Sequence, residues 1–186
     1  GRRDWLAARG IQYLVVVTPN KDTVYPEFLP SEWKQVGGQS RLGQVMRHLG
    51  EKSSLDVLDL RGVLLKAKAS REVYYRTDSH WNAYGAFPSY QAIIERLSRH
   101  FPRLKPMDES RFFIQEYAHL GGDLSYMVGL EDLVLDKKVL MFAKEPMKAR
   151  GMSPNVFKPG YVQPAQGSVR PEGDLPRALF FHDSYF

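Results

Sequence analysis

The run Ile11–Val17, IQYLVVV, limits how this chain can fold more than any other stretch. It shows no alternation of apolar and polar residues. A half-exposed strand alternates, whereas a strand covered on both faces does not, because both rows of side chains meet apolar neighbours. Its β-branched residues favour extended backbone, and Pro19 cannot continue a ladder. Leu55–Leu60 has the same character, and so does Ala178–Phe181 near the other end of the chain. Helical spacing falls between these runs. Leu42, Val45, Met46 and Leu49 follow i, i+3, i+4, i+7 within Arg41–Leu49. Gly62–Ala69 reads as a short helix, and Tyr90, Ile93, Ile94 and Leu97 form one stripe of another, with Pro88 predicting a kink or a later start. Residues 3–9 read as a helix end stopped by Gly10, with Trp5 and Leu6 as buried candidates. Buried strands separated by helices predict an α/β fold with a mostly parallel sheet.

Candidate chemistry sits in residues 71–87, REVYYRTDSHWNAYGAF. Val73, Tyr74 and Tyr75 are strand-like, and Asn82 has the chemistry of a helix N-cap. Between them, Asp78 and His80 stand two positions apart, so in an extended loop their side chains leave on the same side. The carboxylate can then reach one ring nitrogen and leave the other for general-base work. A turn aspartate beside a surface histidine gives the same D-x-H pattern. The far end of the chain weighs against that reading. The run Ala178–Phe181 ends in His182-Asp183-Ser184, which puts Ser184 where open α/β sheets place their ligands, although a strand-end serine also serves as a helix cap. Asp78, His80 and Ser184 together supply a nucleophile, its base and an orienting acid. Asn20 follows the first strand on that same edge and is a candidate for the site, with turn chemistry as the alternative.

Composition narrows the remaining choices. A chain of 186 residues with 43% hydrophobic and 25% charged residues fits a single globular domain, 1–186. The net charge of +5 is spread out, and no nucleic-acid motif accompanies it. The absence of cysteine excludes disulfides, thiolate metal sites and a cysteine nucleophile. No apolar run approaches the roughly 18 residues of a membrane span. The start Gly-Arg-Arg-Asp reads as that of a fragment whose targeting segment has been cut away. Residues 144–176 hold six of the twelve prolines and four glycines, and read as a long excursion.

TDSHWNAYGA resembles the D-x-H-W signature of the AlgJ/AlgX alginate O-acetyltransferases, which are SGNH-hydrolase-like proteins, and HDSY resembles their nucleophile turn. VVVTPNKDTVYPEFLP matches the family's P-N-K-x-x-x-Y-P-E-x-L-P pattern, and LDVLDLRGVLLKAK and GGDLSYMVGL extend the likeness. The resemblance implies an SGNH-hydrolase-like three-layer α/β/α fold with the block order permuted, Asp78 and His80 preceding Ser184. It implies a polysaccharide O-acetyltransferase or acetylesterase in exopolysaccharide modification, located in the periplasm. An exported polysaccharide and an acyl donor would be its partners, with other proteins of a modification complex as further candidates; no cofactor and no metal are implied. Substrate contacts would fall to Asn20 and Tyr185. The Gly and Asn blocks that complete the oxyanion hole would follow Ser184, so the fold is expected to be incomplete at Phe186.

Two other classes remain open at this point. A silent polysaccharide-binding or scaffold module of the same fold would use Tyr74, Tyr75, Trp81, Tyr84 and Tyr185 as stacking surfaces. A metal hydrolase would use Asp78, His80, His182 and Asp183, but none of the short zinc spacings occurs.

Overall fold

The computed structural model describes residues 1–33, 36–146, 149–152, 167–169, 173 and 175–183. Helix α1 (Arg2–Ala7) precedes Gly10, whose φ of 67° takes the left-handed conformation that a helix stop requires. Strand β1 (Leu14–Val17) leads into α2 (Lys21–Val24) and a 3₁₀ turn at Pro26–Phe28. Then come α3 (Arg41–Lys52), β2 (Asp56–Asp59), α4 (Arg61–Lys68) and α5 (Ala83–Ser98). The rest is β3 (Phe112–Leu120), α6 (Asp123–Met127), β4 (Leu135–Ala143), and two short strands, β5 (Arg150–Met152) and β6 (Gly167–Val169).

The two valine- and leucine-rich runs pair as expected. β1 lies parallel to β2, with Leu14 opposite Asp56 and Val17 opposite Asp59. The register continues one residue further, where Leu60 N–H donates to Val17 O at 3.1 Å. Helix α4 starts at once, its first turn held by Asp59 Oδ1 accepting from Arg61 N–H at 3.0 Å. Such a tight strand-to-helix connection swings Leu60 and Leu64 into the interior, where both are fully buried. They join Val24, Tyr25, Val73, Tyr74 and Trp81 in the core, with Val16, Leu58, Val63, Ala67, Ala86 and Ala92 packed against them. Two phenols reach across it: Tyr25 Oη accepts from Val73 N–H at 2.9 Å, and Tyr74 Oη donates to Pro19 O. Buried hydroxyls need such partners, and these two fasten the chain around residue 74 to the segment that follows β1.

α5 packs on α4. It begins directly after Asn82 despite Pro88 in its interior, so the later start that Pro88 suggested does not occur. Gly85 makes the close packing possible, because a Cβ there would overlap the Val73 carbonyl oxygen and crowd Trp81.

Several expectations are corrected. Ala178–Phe181 forms no strand; residues 175–183 are irregular, and Phe181 is 91% exposed. An apolar run becomes a buried strand only when a neighbouring strand and two covering layers meet it, and among the described residues β1 and β2 pair only with each other. Trp5 is 57% exposed rather than buried, because α1 ends after six residues and presents the indole to Arg9, stacked 3.7 Å from the ring centre. Tyr25 is buried in the core, and Phe28, stacked on its ring at 5.8 Å, is largely exposed. The sequence reading also omits the long antiparallel hairpin of β3 and β4, in register from Phe112 opposite Ala143 to Leu120 opposite Leu135. Most of the 144–176 excursion lies outside the described residues; within it, β5 and β6 pair antiparallel.

Candidate active site

The loop that carries the candidate chemistry is built on a short antiparallel bridge between Tyr74 and Trp81. Tyr75 N–H donates to His80 O at 3.2 Å, and Asn82 N–H to Val73 O at 3.0 Å, which closes residues 75–80 into a loop on a buried base. Tyr74, Trp81 and Asn82 are all buried. Trp81 is therefore core rather than a sugar platform. Asn82 is the predicted N-cap: its Oδ1 accepts from Tyr84 N–H at 2.9 Å and Gly85 N–H at 3.3 Å. Its amide also donates to Glu72 O at 2.7 Å, which ties the helix start to the strand before the loop.

Asp78 and His80 meet as the i, i+2 spacing predicts. Asp78 Oδ1 lies 2.6 Å from His80 Nδ1 and also accepts from His80 backbone N–H at 2.8 Å. A carboxylate can only accept, so Nδ1 carries the proton and the ring's basic lone pair lies on Nε2. The two side chains are partly buried. Around them the loop is held by groups distant in sequence. Asp136 Oδ2, on β4, accepts from both Thr77 N–H and Thr77 Oγ1 at 2.7 Å. Asp123, at the start of α6, accepts from Ser79 N–H at 2.6 Å and from the Ser79 hydroxyl. Lys21 Nζ donates to Arg76 O at 2.7 Å and Asp78 O at 3.0 Å. Every residue from Arg76 to His80 thus has a bond to a group that fixes its place.

The Gly121-Gly122 pair has a steric role here. Gly122 N–H donates to Thr77 Oγ1 at 2.9 Å, and a Cβ on Gly122 would come within 2.5 Å of both Cβ and Oδ2 of Asp78. Only glycine lets α6 approach the loop this closely.

The electrostatics follow from the contacts. Burial pushes the Asp78 carboxyl up, but the bonds from the His80 backbone and imidazole and from Asp123 N–H outweigh it and hold it below the usual carboxylate range. Asp136 is likewise held low, burial being overcome by the Thr77 hydroxyl and by backbone N–H groups. Burial lowers the Lys21 ammonium, and Asp136, Asp78 and Asp123 pull it partly back.

Ser184 and Tyr185 lie outside the described residues. Asn20 is exposed at the N-cap position of α2 with no side-chain cap bond; its neighbour Lys21 is the residue that reaches the loop. His182 and Asp183 are exposed, with His182 Nδ1 at 2.7 Å from Asp183 O. Among the described residues, Asp78, His80 and Asp123 offer ligand atoms within 4.8 Å of one another, without His182 or Asp183. Of these, Asp78 bonds to His80, and the Asp123 carboxylate accepts from Ser79. Asp123, Asp136 and Lys21 were not singled out from sequence; the block GGDLSYMVGL was the signal that could have drawn attention to Asp123. Two clefts of about 390 and 420 Å³ flank the loop's base along Glu72–Arg76 rather than His80 itself.

The model of the family "SGNH hydrolase-like domain, acetyltransferase AlgX" matches residues 1–154. A protein of Azotobacter vinelandii named "Probable alginate O-acetylase AlgJ" is 30% identical over 137 residues, which is 72% of this chain and 34% of that protein. Its namesake in Pseudomonas putida is 29% identical over 182 residues, 97% of this chain and 42% of that protein. The chain therefore spans about two fifths or less of the length of these relatives. The solved O-acetyltransferase domain of Pseudomonas putida AlgJ superposes with a TM-score of 0.57 at 26% identity, over 76% of this chain and 52% of that one.

Proposed function

Because the chain belongs to the SGNH hydrolase-like, AlgX-type acetyltransferase family, we propose that it transfers acetyl groups to the hydroxyls of an alginate-like polysaccharide. In this reading Ser184 Oγ attacks the acyl carbonyl of a donor while His80 Nε2 takes its proton and passes it to the departing group. A hydroxyl of the polymer then attacks the acyl-serine. His80 removes the hydroxyl's proton and returns it to Ser184 Oγ, which regenerates the starting state. Asp78 keeps the proton on Nδ1 and stabilises the imidazolium formed in each half-reaction. Asn20 and Tyr185 would contact the substrate. The polymer is an exported one, met in the periplasm beside other proteins of the modification machinery.

The observation that carries this reading is the Asp78–His80 contact at 2.6 Å, on a loop fixed residue by residue. The test is to incubate the protein with a small acetyl ester and short uronate oligosaccharides and to follow O-acetyl signals on the sugar by NMR. Transfer that disappears in Ser184→Ala and in His80→Ala supports the assignment. Transfer that survives either substitution overturns it.

A further inference from the structure

Asp78 is not the only carboxylate at His80. Asp123 Oδ2 lies 3.6 Å from Nδ1, against 2.6 Å for Asp78 Oδ1. At equal screening, Coulomb attraction falls as the inverse of distance, so Asp123 exerts roughly 0.7 of the pull of Asp78 on a charged imidazole. Asp123 is 40% exposed and Asp78 24%, so solvent reduces that share but does not abolish it. The same carboxylate accepts from Ser79 N–H and from the Ser79 hydroxyl, and Ser79 Oγ is itself 3.5 Å from Nδ1. With its hydroxyl proton turned towards Asp123, Ser79 presents an oxygen lone pair to Nδ1 and no competing donor. The Asp123 backbone N–H also donates to Asp78 Oδ2, at 3.4 Å. Gly121 and Gly122 admit α6 to this position.

We propose that Asp123 is a positioning residue for His80: it holds Ser79 in place, turns the Ser79 hydroxyl away from Nδ1, and supplies a second negative charge that favours the imidazolium. This rests on His80 being the acid–base group, but it can be read without catalysis. Four charged groups surround the ring and its loop: Asp78, Asp123, Asp136 through Thr77, and Lys21 through the backbone carbonyls of Arg76 and Asp78. Lys21 opposes the carboxylates and is unchanged in the variants below.

The experiment follows the His80 ring resonances of the whole protein against pH by NMR, assigned by their loss in His80→Gln. In Asp123→Asn the midpoint moves to lower pH, by about half a unit or more, since an opposite charge within ~4–6 Å favours the protonated form. In Ser79→Ala, which keeps the charge, it moves by less than half as much. If the asparagine variant does not fold, Asp123→Ser removes the charge and keeps an acceptor for Ser79 N–H, and the same shift is expected. A midpoint in Asp123→Asn or Asp123→Ser that matches wild type overturns the proposal, and so does an equal shift in Ser79→Ala. Because no turnover is measured, a protein that binds polymer without acetylating it would still answer the question.

Discussion

Replacing Gly122 with alanine places one methyl group against the centre of the site. The added Cβ would stand 2.5 Å from Cβ and Oδ2 of Asp78 and 2.9 Å from its Cγ. Carbon atoms settle at about 3.5–4.0 Å, so the methyl intrudes by roughly 1 Å. Asp78 has little freedom to yield: Oδ1 is bonded twice to His80, and its own carbonyl accepts from Lys21. Either α6 retreats and loosens the Thr77 and Ser79 bonds, or Asp78 rotates and releases Nδ1. Forcing a methylene into a packed site costs about 1–3 kcal/mol, and at roughly 2–4 °C per kcal/mol for a chain of this size the thermal midpoint should fall by about 2–12 °C. Gly50→Ala is the control. It lies within α3 with no atom inside 4 Å of the built Cβ, so alanine should stabilise by about 0.5–1 kcal/mol. Calorimetry on the two variants reads both signs. A Gly122→Ala protein that melts with wild type and keeps its His80 spectrum would refute the claim that glycine is needed for the approach of α6.

Two further outcomes follow from the same contacts. Asn82→Ala removes two cap bonds and orphans Glu72 O, which should cost about 1–2 kcal/mol in denaturant titration; a loss below about 0.5 kcal/mol would contradict the cap. Asp78 and Asp136 are both held below their ordinary range in the folded state, so their contribution to stability is complete above the unfolded aspartate range, near pH 4. It should be lost as pH falls through the lower folded values, and Asp136→Asn should flatten the acid side of a plot of thermal midpoint against pH; an unchanged slope would contradict the sign.

How far the sequence could be read depended on the range of the contacts involved. β1, β2, α3 and the Asn82 cap rest on spacing within a few residues, and all four formed where local chemistry indicated. The Asp78–His80 contact is equally local, spanning two residues. The residues that fix the loop are remote: Asp123 meets Ser79 across 44 positions, and Asp136 meets Thr77 across 59. No periodicity records such a pairing. β3 was hidden for a different reason, since FFIQEYAHL is exposed along almost its whole length and lacks the clean alternation of a half-buried strand. Ala178–Phe181 shows the converse error, a run with the composition of a buried strand but no partner among the described residues. Trp5 failed in the same way, as hydrophobicity marks a candidate for burial without supplying the surface that covers it.

The central claim is that the Asp78–His80 pair serves a serine nucleophile at position 184. The most direct measurement is covalent: treat the protein with a serine-directed phosphonate, digest it, and locate the adduct by mass spectrometry. The account predicts one stoichiometric adduct on Ser184, absent in Ser184→Ala and formed at least about tenfold more slowly in His80→Ala, where the activating base is gone. An adduct on another residue, or labelling unchanged in either variant, would contradict it.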